Sequence, residues 1–306
     1  MRRLSYLAAF TICLFLLSAV VGVVVGPSIV HPKNLNPERL QQTQAMLEHT
    51  RSVKQDFEVN APDGVILRGW KVRPLNPNGD WVLLFHGVSD NRTGMLGAAE
   101  FLLRHHFSLV MMDSRAHGKS GGDTATFGWQ ERFDTHSIVQ SLDATEQVRN
   151  LYAVGVSMGA AIALDSAAVE PQIRAVVAEA PFASLREVSY DYAGLDISPW
   201  IGKTIFRPGS YFGLKQVAKA GNFDPDEVSP EQAVAERAFP VLLICGTSDS
   251  RIPCRHAERI YRAAKGPKQL WIVKGADHAA VFGLVPRTYE NRVVTFFTEN
   301  SQPASR

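Results

Sequence analysis

A short turn in the middle of the chain carries a serine whose surroundings could make it reactive: Gly155-Val156-Ser157-Met158-Gly159. It joins an apolar run of strand length to an alanine-rich run of helical length. A serine at such a tip is exposed in a strained backbone, and the flanking glycines remove side chains that would collide there. The helix that follows directs unpaired N–H groups and its positive dipole end toward the hydroxyl. The pattern also arises by chance, so its strand-turn-helix context is what favours a nucleophile.

A serine hydroxyl is a weak nucleophile at neutral pH and needs a histidine base that a carboxylate holds in one tautomer. Asp249 follows the strand-like run Val241–Cys245, and His278 follows Gln269–Val273. The order serine, aspartate, histidine is the one expected when the nucleophile lies on a strand-to-helix turn. The sequence therefore predicts Ser157 as nucleophile, Asp249 as orienting acid and His278 as base.

Other acidic and imidazole side chains are weaker candidates for these roles. Asp277 is adjacent to His278 and badly placed to orient its ring, and Asp224 and Asp226 lie in an irregular insertion. The remaining histidines are interpreted as structural, and His86 is expected to shape a loop without transferring protons.

A tetrahedral intermediate of acyl transfer needs two hydrogen-bond donors for its oxyanion. The backbone N–H after the nucleophile supplies one, which is Met158 here. Val88, directly after His86-Gly87, is predicted to supply the second. Only the backbone of each residue takes part, so their apolar side chains are no obstacle.

Short apolar runs bounded by turns predict the strands of one sheet. They are Val53–Val59, Val65–Val72, Trp81–Phe85, Ser108–Met112, the run before Ser157, Ala175–Glu179, Val241–Cys245 and Gln269–Val273. After an opening hairpin they alternate with helical stretches, which predicts an α/β fold with a mostly parallel central sheet and helices on both faces. Ligands of such sheets bind beyond the carboxyl ends of the strands, where the predicted catalytic residues emerge.

The alternation stops over residues 181–240, which are predicted to form a small helical cap. The segment holds several aromatic residues: Tyr190, Tyr192, Trp200, Phe206, Tyr211 and Phe212. We expect most of them to pack the cap onto the sheet edge and a few to line an apolar acyl pocket.

Taken together, these motifs resemble the α/β-hydrolase superfamily, in its branch of serine esterases, lipases and aminopeptidase-like proteins. The matching segments are His86-Gly87, the loop Asp113-x-Arg115-x-His117-Gly118-x-Ser120, Gly155-x-Ser157-x-Gly159, Gly246-x-x-Asp249-x-x-Ile252-Pro253 and Asp277-His278. The resemblance implies the same triad, the same oxyanion donors and a variable cap. Ala116 departs from the glycine that many relatives have, at a position with no catalytic role.

Composition sets further bounds on function. A formal net charge of +2 over 306 residues gives no electrostatic reason to expect nucleic-acid binding. The spacing of Cys13, Cys245 and Cys254 predicts neither a disulfide framework nor a metal cluster. No cofactor is expected, and the predicted partners are a small acyl substrate and a membrane.

Residues Leu4–Val30 form a run of 27 residues without a charge, preceded by Arg2 and Arg3. About 20 apolar residues cross a bilayer, so the run predicts a transmembrane helix with a cytoplasmic amino terminus and an extracytoplasmic remainder. A cleaved signal peptide is the alternative, but its apolar core is shorter. The predicted division is an anchor (1–31), a stalk helix that opens at Asn36-Pro37 (32–52), the hydrolase domain (53–300) and a disordered tail (301–306).

The predicted function is a membrane-anchored serine hydrolase that cleaves carboxylic esters or thioesters through an acyl-enzyme. An aminopeptidase-like peptidase and a non-catalytic binding protein on the same fold are the alternatives. Against the peptidase, no acidic pair that would bind a substrate amine can be picked out. Dehalogenases and epoxide hydrolases of this fold use a carboxylate nucleophile, which Ser157 replaces.

Overall fold

A twisted sheet forms the framework of this computed structural model, which describes residues 2 to 32, 36 to 193, 195 and 199 to 301. The strands are β1 (Val53–Asn60), β2 (Ile66–Arg73), β3 (Asp80–Phe85), β4 (Ser108–Met112), β5 (Asn150–Val156), β6 (Ile173–Glu179), β7 (Val241–Gly246) and β8 (Lys268–Val273). Except for β1, whose residues are mostly exposed, each strand corresponds to an apolar run in the sequence, and β3 to β7 are almost wholly buried.

The strand order is β1-β2-β4-β3-β5-β6-β7-β8. The β1–β2 and β2–β4 pairs are antiparallel, and every other pair is parallel. The predicted mostly parallel sheet is therefore confirmed. In the sheet, β4 lies on one side of β3 and β5 lies on the other, so the direction of strand addition reverses at β3. The crevice at the carboxyl ends of β3 and β5 is therefore the expected ligand site.

Helices connect the strands and extend the domain. They are α1 (Arg2–Ile29), α2 (Leu40–Thr50), α3 (Leu96–Arg104), α4 (Glu131–Asp143), α5 (Met158–Val169), α6 (Leu185–Ala193), α7 (Pro199–Lys203), α8 (Arg207–Gly221), α9 (Pro230–Glu236), α10 (Arg255–Ala263), α11 (Val281–Leu284) and α12 (Pro286–Glu299). A 3-10 turn, Arg92–Met95, leads into α3.

Two apolar clusters cover the two faces of the sheet. Alternate residues of β3 divide between them, with Leu83 in one cluster and Leu84 in the other. The first cluster packs α4, α5 and α10 against the sheet, and the second packs α2, α3 and α12. Because β3 is buried on both faces, it reads in sequence as a continuous apolar run rather than an alternating one.

The predicted cap is present as α6 to α9, between β6 and β7. The expectation for its aromatic residues holds only in part. Tyr190 is buried and Tyr192 lines a cavity next to the turn that carries Ser157, but Trp200 is 67% exposed. The cavity takes its apolar wall from α3 and α11 instead, because these helices follow directly from the loops that carry the site.

The amino-terminal helix α1 packs along the cap helix α8. Ser18 Oγ accepts a hydrogen bond of 3.0 Å from Gly209 N, and a Cβ on Gly22 would lie 2.0 Å from Gly209 O. Val30, just after the helix, is fully buried in the first apolar cluster. Within the described residues no helix is both long and apolar enough to cross a membrane, so the predicted transmembrane span is without support from the structure.

The predicted stalk helix begins later than expected, at Leu40 rather than just after Asn36. Residues 36 to 39 stay outside the helix because Asn36 O accepts from Asn91 Nδ2 at 2.8 Å and Glu38 pairs with Arg92. Met46 of α2 is buried in the second apolar cluster. The predicted division at residues 31 and 52 stays a prediction, and residues 302–306 of the predicted tail lie outside the described residues.

The close contact between α5 and the end of β3 generates a first prediction. A Cβ on Gly159 would lie 2.1 Å from Phe85 O, and backbone cannot move aside as a flexible side chain can. We expect Gly159→Ala to lower the free energy of unfolding by about 3 kcal/mol, the upper range for overpacking. Urea unfolding followed by tryptophan fluorescence measures this change.

Gly283→Ala is the matched control, because nothing lies within 4 Å of a Cβ built there. Its free energy of unfolding is expected to stay within about 1 kcal/mol of the parent, since alanine favours a helix over glycine. Equal stability of both variants would contradict the close packing of the turn on β3.

Candidate active site

The turn between β5 and α5 holds Ser157 in a strained conformation. Its φ is 57° and its ψ is −118°, a region that residues with a side chain rarely occupy. Such strain costs on the order of 1–3 kcal/mol and persists only where surrounding structure enforces it. Here Ser157 N donates to Glu179 O of the neighbouring strand at 2.9 Å. Gly155 also lies close to Gly159, since a Cβ built on Gly155 would be 2.1 Å from the carbonyl oxygen of Gly159.

The structure brings the three predicted triad residues into one line of hydrogen bonds. Ser157 Oγ is 3.0 Å from His278 Nε2, and His278 Nδ1 is 2.8 Å from Asp249 Oδ2. The carboxylate fixes the tautomer, because Nδ1–H donates to Asp249 and leaves Nε2 to accept from the serine. The side chain of Asp249 is fully buried and that of His278 is 11% exposed, so the base stays accessible from the cavity.

The predicted oxyanion donors lie beside the serine. Met158 is the first residue of α5, and Val88 lines the same cavity as Ser157. Within the described part of the chain, the backbone N–H groups of Val88 and Met158 donate to no acceptor. Both are therefore available to an oxyanion, and the dipole of α5 adds to the same field.

The loop that carries Asp249 is held at several points. Asp249 Oδ1 accepts from Arg251 N at 2.9 Å and from Ile252 N at 2.8 Å. A disulfide joins Cys245 at the end of β7 to Cys254 just before α10. The sequence-based interpretation that predicted no disulfide is thus wrong: the loop folds back so that the two Cα atoms are 5.4 Å apart, within the range a disulfide spans.

His86 supports the oxyanion loop, as its sequence position suggested. Its Nδ1–H donates to Gly87 O at 2.8 Å, and its Nε2 accepts from Ser114 N at 3.0 Å. Complete burial lowers the pKa of His86 to about 3, so the ring is neutral at physiological pH. It ties the loop after β3 to the loop after β4 and has no free nitrogen for proton transfer.

The loop after β4 is held by buried ion pairs. Asp113 accepts from Arg92 N at 2.8 Å and also pairs with the Arg92 guanidinium. Arg115 binds both oxygens of Asp134, at 2.6 and 2.7 Å. Asp113 and Arg115 belong to the loop that matched the family motif in the sequence, and in the structure they hold loops in place through Arg92 and Asp134.

Glu179 is a residue of the site that the sequence reasoning missed. It ends β6, is buried, and lines the cavity beside Ser157. Its Oε1 accepts from Val281 N at 2.9 Å and it also bonds the Tyr289 side chain, which fixes the segment that follows His278. Burial raises its pKa. A single acidic residue at the end of an otherwise apolar strand next to the nucleophile's strand was the available signal.

Ser157, His278 and Glu179 line a cavity of about 340 Å³, a volume within the range that small ligands occupy. Its apolar wall includes Met95, Ala98 and Phe282, and its polar wall includes Tyr192 and Arg251. Among the described residues, no cluster of three or more His, Cys, Asp or Glu side chains is arranged to hold a metal ion.

Comparison with known sequences supplies the family. The profile of the family described as Serine aminopeptidase, S33, matches residues 77 to 238, which is more than half of the 306-residue chain. The chain belongs to this family. It is also 30% identical over 249 residues to the uncharacterized protein YqkD of Bacillus subtilis (strain 168), with 79% of each chain covered.

Solved structures with the same fold agree with this membership of the α/β-hydrolase superfamily. The Pyrococcus furiosus esterase Pf2001 superposes with a TM-score of 0.69 at 23% identity, covering 84% of this chain and 94% of the esterase. An acylaminoacyl peptidase of Pyrococcus horikoshii has a TM-score of 0.61 at 17% identity, covering 83% of this chain but only 43% of the peptidase. At these identities the likeness concerns the fold alone.

Two carboxylates lie next to His278, that of Asp249 at the ring and that of Asp277 at the backbone, and they generate a second prediction. Asp249→Asn is expected to lower kcat about 10³- to 10⁴-fold with little change in KM, because an amide no longer selects the productive tautomer. Its Oδ1 can still accept from residues 251 and 252, so the loop keeps its fold. Steady-state kinetics on a chromogenic ester measure the loss.

Asp277→Asn serves as the matched control. Asp277 is exposed, and among the described residues its carboxylate accepts from the backbone N of His278, at 2.7 Å, and from no ring nitrogen. A loss of less than about tenfold is expected, because the ring is not touched. If Asp277→Asn proved the more damaging change, Asp249 would not be the orienting acid.

Proposed function

We propose that the chain is a serine hydrolase that cleaves carboxylic esters, or thioesters, through an acyl-enzyme intermediate. The observation that carries the proposal is the continuous hydrogen-bond line from Ser157 through His278 to Asp249, with two unengaged N–H groups beside the serine. A non-catalytic protein on this fold has no need to keep a strained serine, a base, an acid and an oxyanion site together.

The reaction follows from these positions. His278 takes the Ser157 proton as Oγ attacks the acyl carbon, and the N–H groups of Val88 and Met158 stabilise the oxyanion. Collapse of the tetrahedral intermediate expels the alcohol or thiol, which receives the proton from His278. A water activated by the same ring then hydrolyses the acyl-enzyme. The chain itself supplies the base and the oxyanion donors, so no metal or cofactor is required.

A peptidase is the second candidate, and the family description favours it. Binding the amino group of a peptide would need a free carboxylate in the cavity. Glu179 is engaged by Val281 and Tyr289, and Asp90 pairs with Arg39 at 3.6 Å. The carboxylates that line the cavity are thus already occupied, which favours esters.

The test compares two substrate series on the full-length protein. We expect Ser157 to be labelled by a fluorophosphonate probe and short- to medium-chain p-nitrophenyl esters to be cleaved much faster than aminoacyl or prolyl p-nitroanilides. Each further buried methylene adds about 0.8 kcal/mol, so kcat/KM should rise severalfold per carbon until the pocket is full. Chelator should leave these rates unchanged.

Ser157→Ala is the control and is expected to abolish labelling and turnover while the circular dichroism spectrum stays that of the parent. Robust turnover by this variant would refute the acyl-enzyme route. Faster cleavage of the anilides would instead promote the peptidase, and loss of activity with chelator would overturn the metal-free mechanism.

We also propose that the amino-terminal segment anchors the protein in a membrane, with the hydrolase domain on the extracytoplasmic side. Support comes from the uncharged run Leu4–Val30 behind two arginines and from apolar side chains of α1 that face away from the domain. Leu16 is 62% exposed and Val20 is 59% exposed. The disulfide between Cys245 and Cys254 is consistent with an oxidising compartment.

Alkaline washing of membranes tests this anchoring. Full-length protein is expected to stay in the pellet, and the double variant Leu16→Lys/Val20→Lys to be released, because each central lysine costs roughly 2.5–3.5 kcal/mol of insertion. Val53→Lys is the control, since Val53 is an exposed valine outside the run. Release of the parent protein, or an amino-terminally shortened mature form, would show that the run is no anchor.

A further inference from the structure

One wall of the active-site cavity carries a positive charge that the proposed mechanism does not use. Arg251 lines the cavity together with Ser157, His278 and Tyr192. Tyr192 lines the same cavity, and the Arg251 charge opposes the rise that burial causes in the pKa of its hydroxyl. The Arg251 guanidinium therefore lines the cavity that a substrate would enter.

The backbone of Arg251 is fixed relative to the catalytic residues. Its N–H donates to Asp249 Oδ1, the oxygen that does not bind His278. The disulfide closes the same loop at both ends. The distance between the Arg251 Cα and the three residues Ser157, His278 and Asp249 is therefore fixed. The flexible side chain of Arg251 is the part that can move to reach a ligand.

Within the described residues, the guanidinium of Arg251 has no carboxylate partner, and the side chain is exposed. The other charged residues of the cavity wall are already satisfied. Asp90 pairs with Arg39, and Glu179 accepts from Val281 N in a buried position. Among the described residues, the cavity wall therefore carries one guanidinium that has no ion-pair partner.

Building on the proposed ester hydrolysis, we infer that Arg251 binds an anionic group of the substrate, a carboxylate or a phosphate. A guanidinium presents its N–H donors in a planar fork that matches both groups. The apolar part of the same substrate packs on Met95, Ala98 and Phe282. The substrate class is thus an amphiphilic ester, with an apolar part and one negative charge that both lie within the cavity.

Two matched substrate pairs test this inference and separate the two sources of charge. Mono-4-nitrophenyl adipate and 4-nitrophenyl hexanoate differ by a terminal carboxylate on the acyl chain. 1-Hexanoylglycerol 3-phosphate and 1-hexanoylglycerol differ by a phosphate on the alcohol. For at least one pair, the parent enzyme is expected to favour the anionic member, and 0.5 M NaCl should reduce that preference by screening.

Arg251→Gln is expected to lower the anionic-to-neutral ratio of kcat/KM about tenfold, mainly through KM, and Arg251→Lys to restore part of it. A tenfold change equals about 1.4 kcal/mol, a modest value for a charged hydrogen bond that solvent partly screens. Arg287→Gln is the control, since Arg287 is an exposed arginine outside the cavity wall, and it should leave the ratio unchanged.

The outcomes separate this inference from the proposed function. Turnover of the neutral esters without preference for either anionic member would overturn the role of Arg251 and leave the hydrolase standing. Equal losses on both members of a pair in Arg251→Gln would do the same. Failure to cleave any ester, together with an unlabelled Ser157, would refute the proposed function and the inference with it.

Discussion

The close contact between the nucleophile turn and the end of β3 is the constraint on which the site depends. Gly159 packs against the backbone carbonyls of Phe85 and His86, closer than any side chain allows. The contact sets Ser157 beside the loop that carries Val88. The two predicted oxyanion donors, Val88 and Met158, are therefore brought to the same side of the serine. The order of the strands makes it possible, because β3 and β5 are neighbours in space although β4 and α4 separate them in sequence.

The other half of the site comes from the late strands, and three separate connections hold it in register. Glu179 joins β6 to the segment after His278 through Val281 N. The disulfide from Cys245 to Cys254 closes the loop that carries Asp249. Asp249 itself then uses one oxygen for its own loop and the other for the histidine. The position of the His278 ring beside Ser157 therefore depends on the packing of β6, β7 and β8 against one another.

Much of this arrangement could be predicted because it depends on local pattern and on strand order. Each buried strand reads as an apolar run, and parallel strands place the residues after them on one edge, so Ser157, Asp249 and His278 were predicted to converge. The disulfide could not be predicted in this way, because pairing depends on how the loop between Cys245 and Cys254 folds back. The Arg251 side chain was missed because, two residues after Asp249, it reads in sequence as an ordinary loop charge. The start of α2 was misplaced because Asn36 and Glu38 bind side chains distant in sequence.

The packing of α1 on α8 connects the amino-terminal segment to the cap, which includes α8. Ser18 and Gly22 on one helix meet Gly209 on the other, and residues this small allow two helix backbones to approach closely. The α8 helix also contacts α6, the helix that carries Tyr192 at the cavity wall. The side of the cavity where Arg251 and Tyr192 lie is thus linked through the cap to the segment proposed as the anchor. Ser18 and Gly22 lie within the run proposed to cross the membrane, so insertion of that run would separate α1 from α8 and uncover the face of the cap that α1 covers.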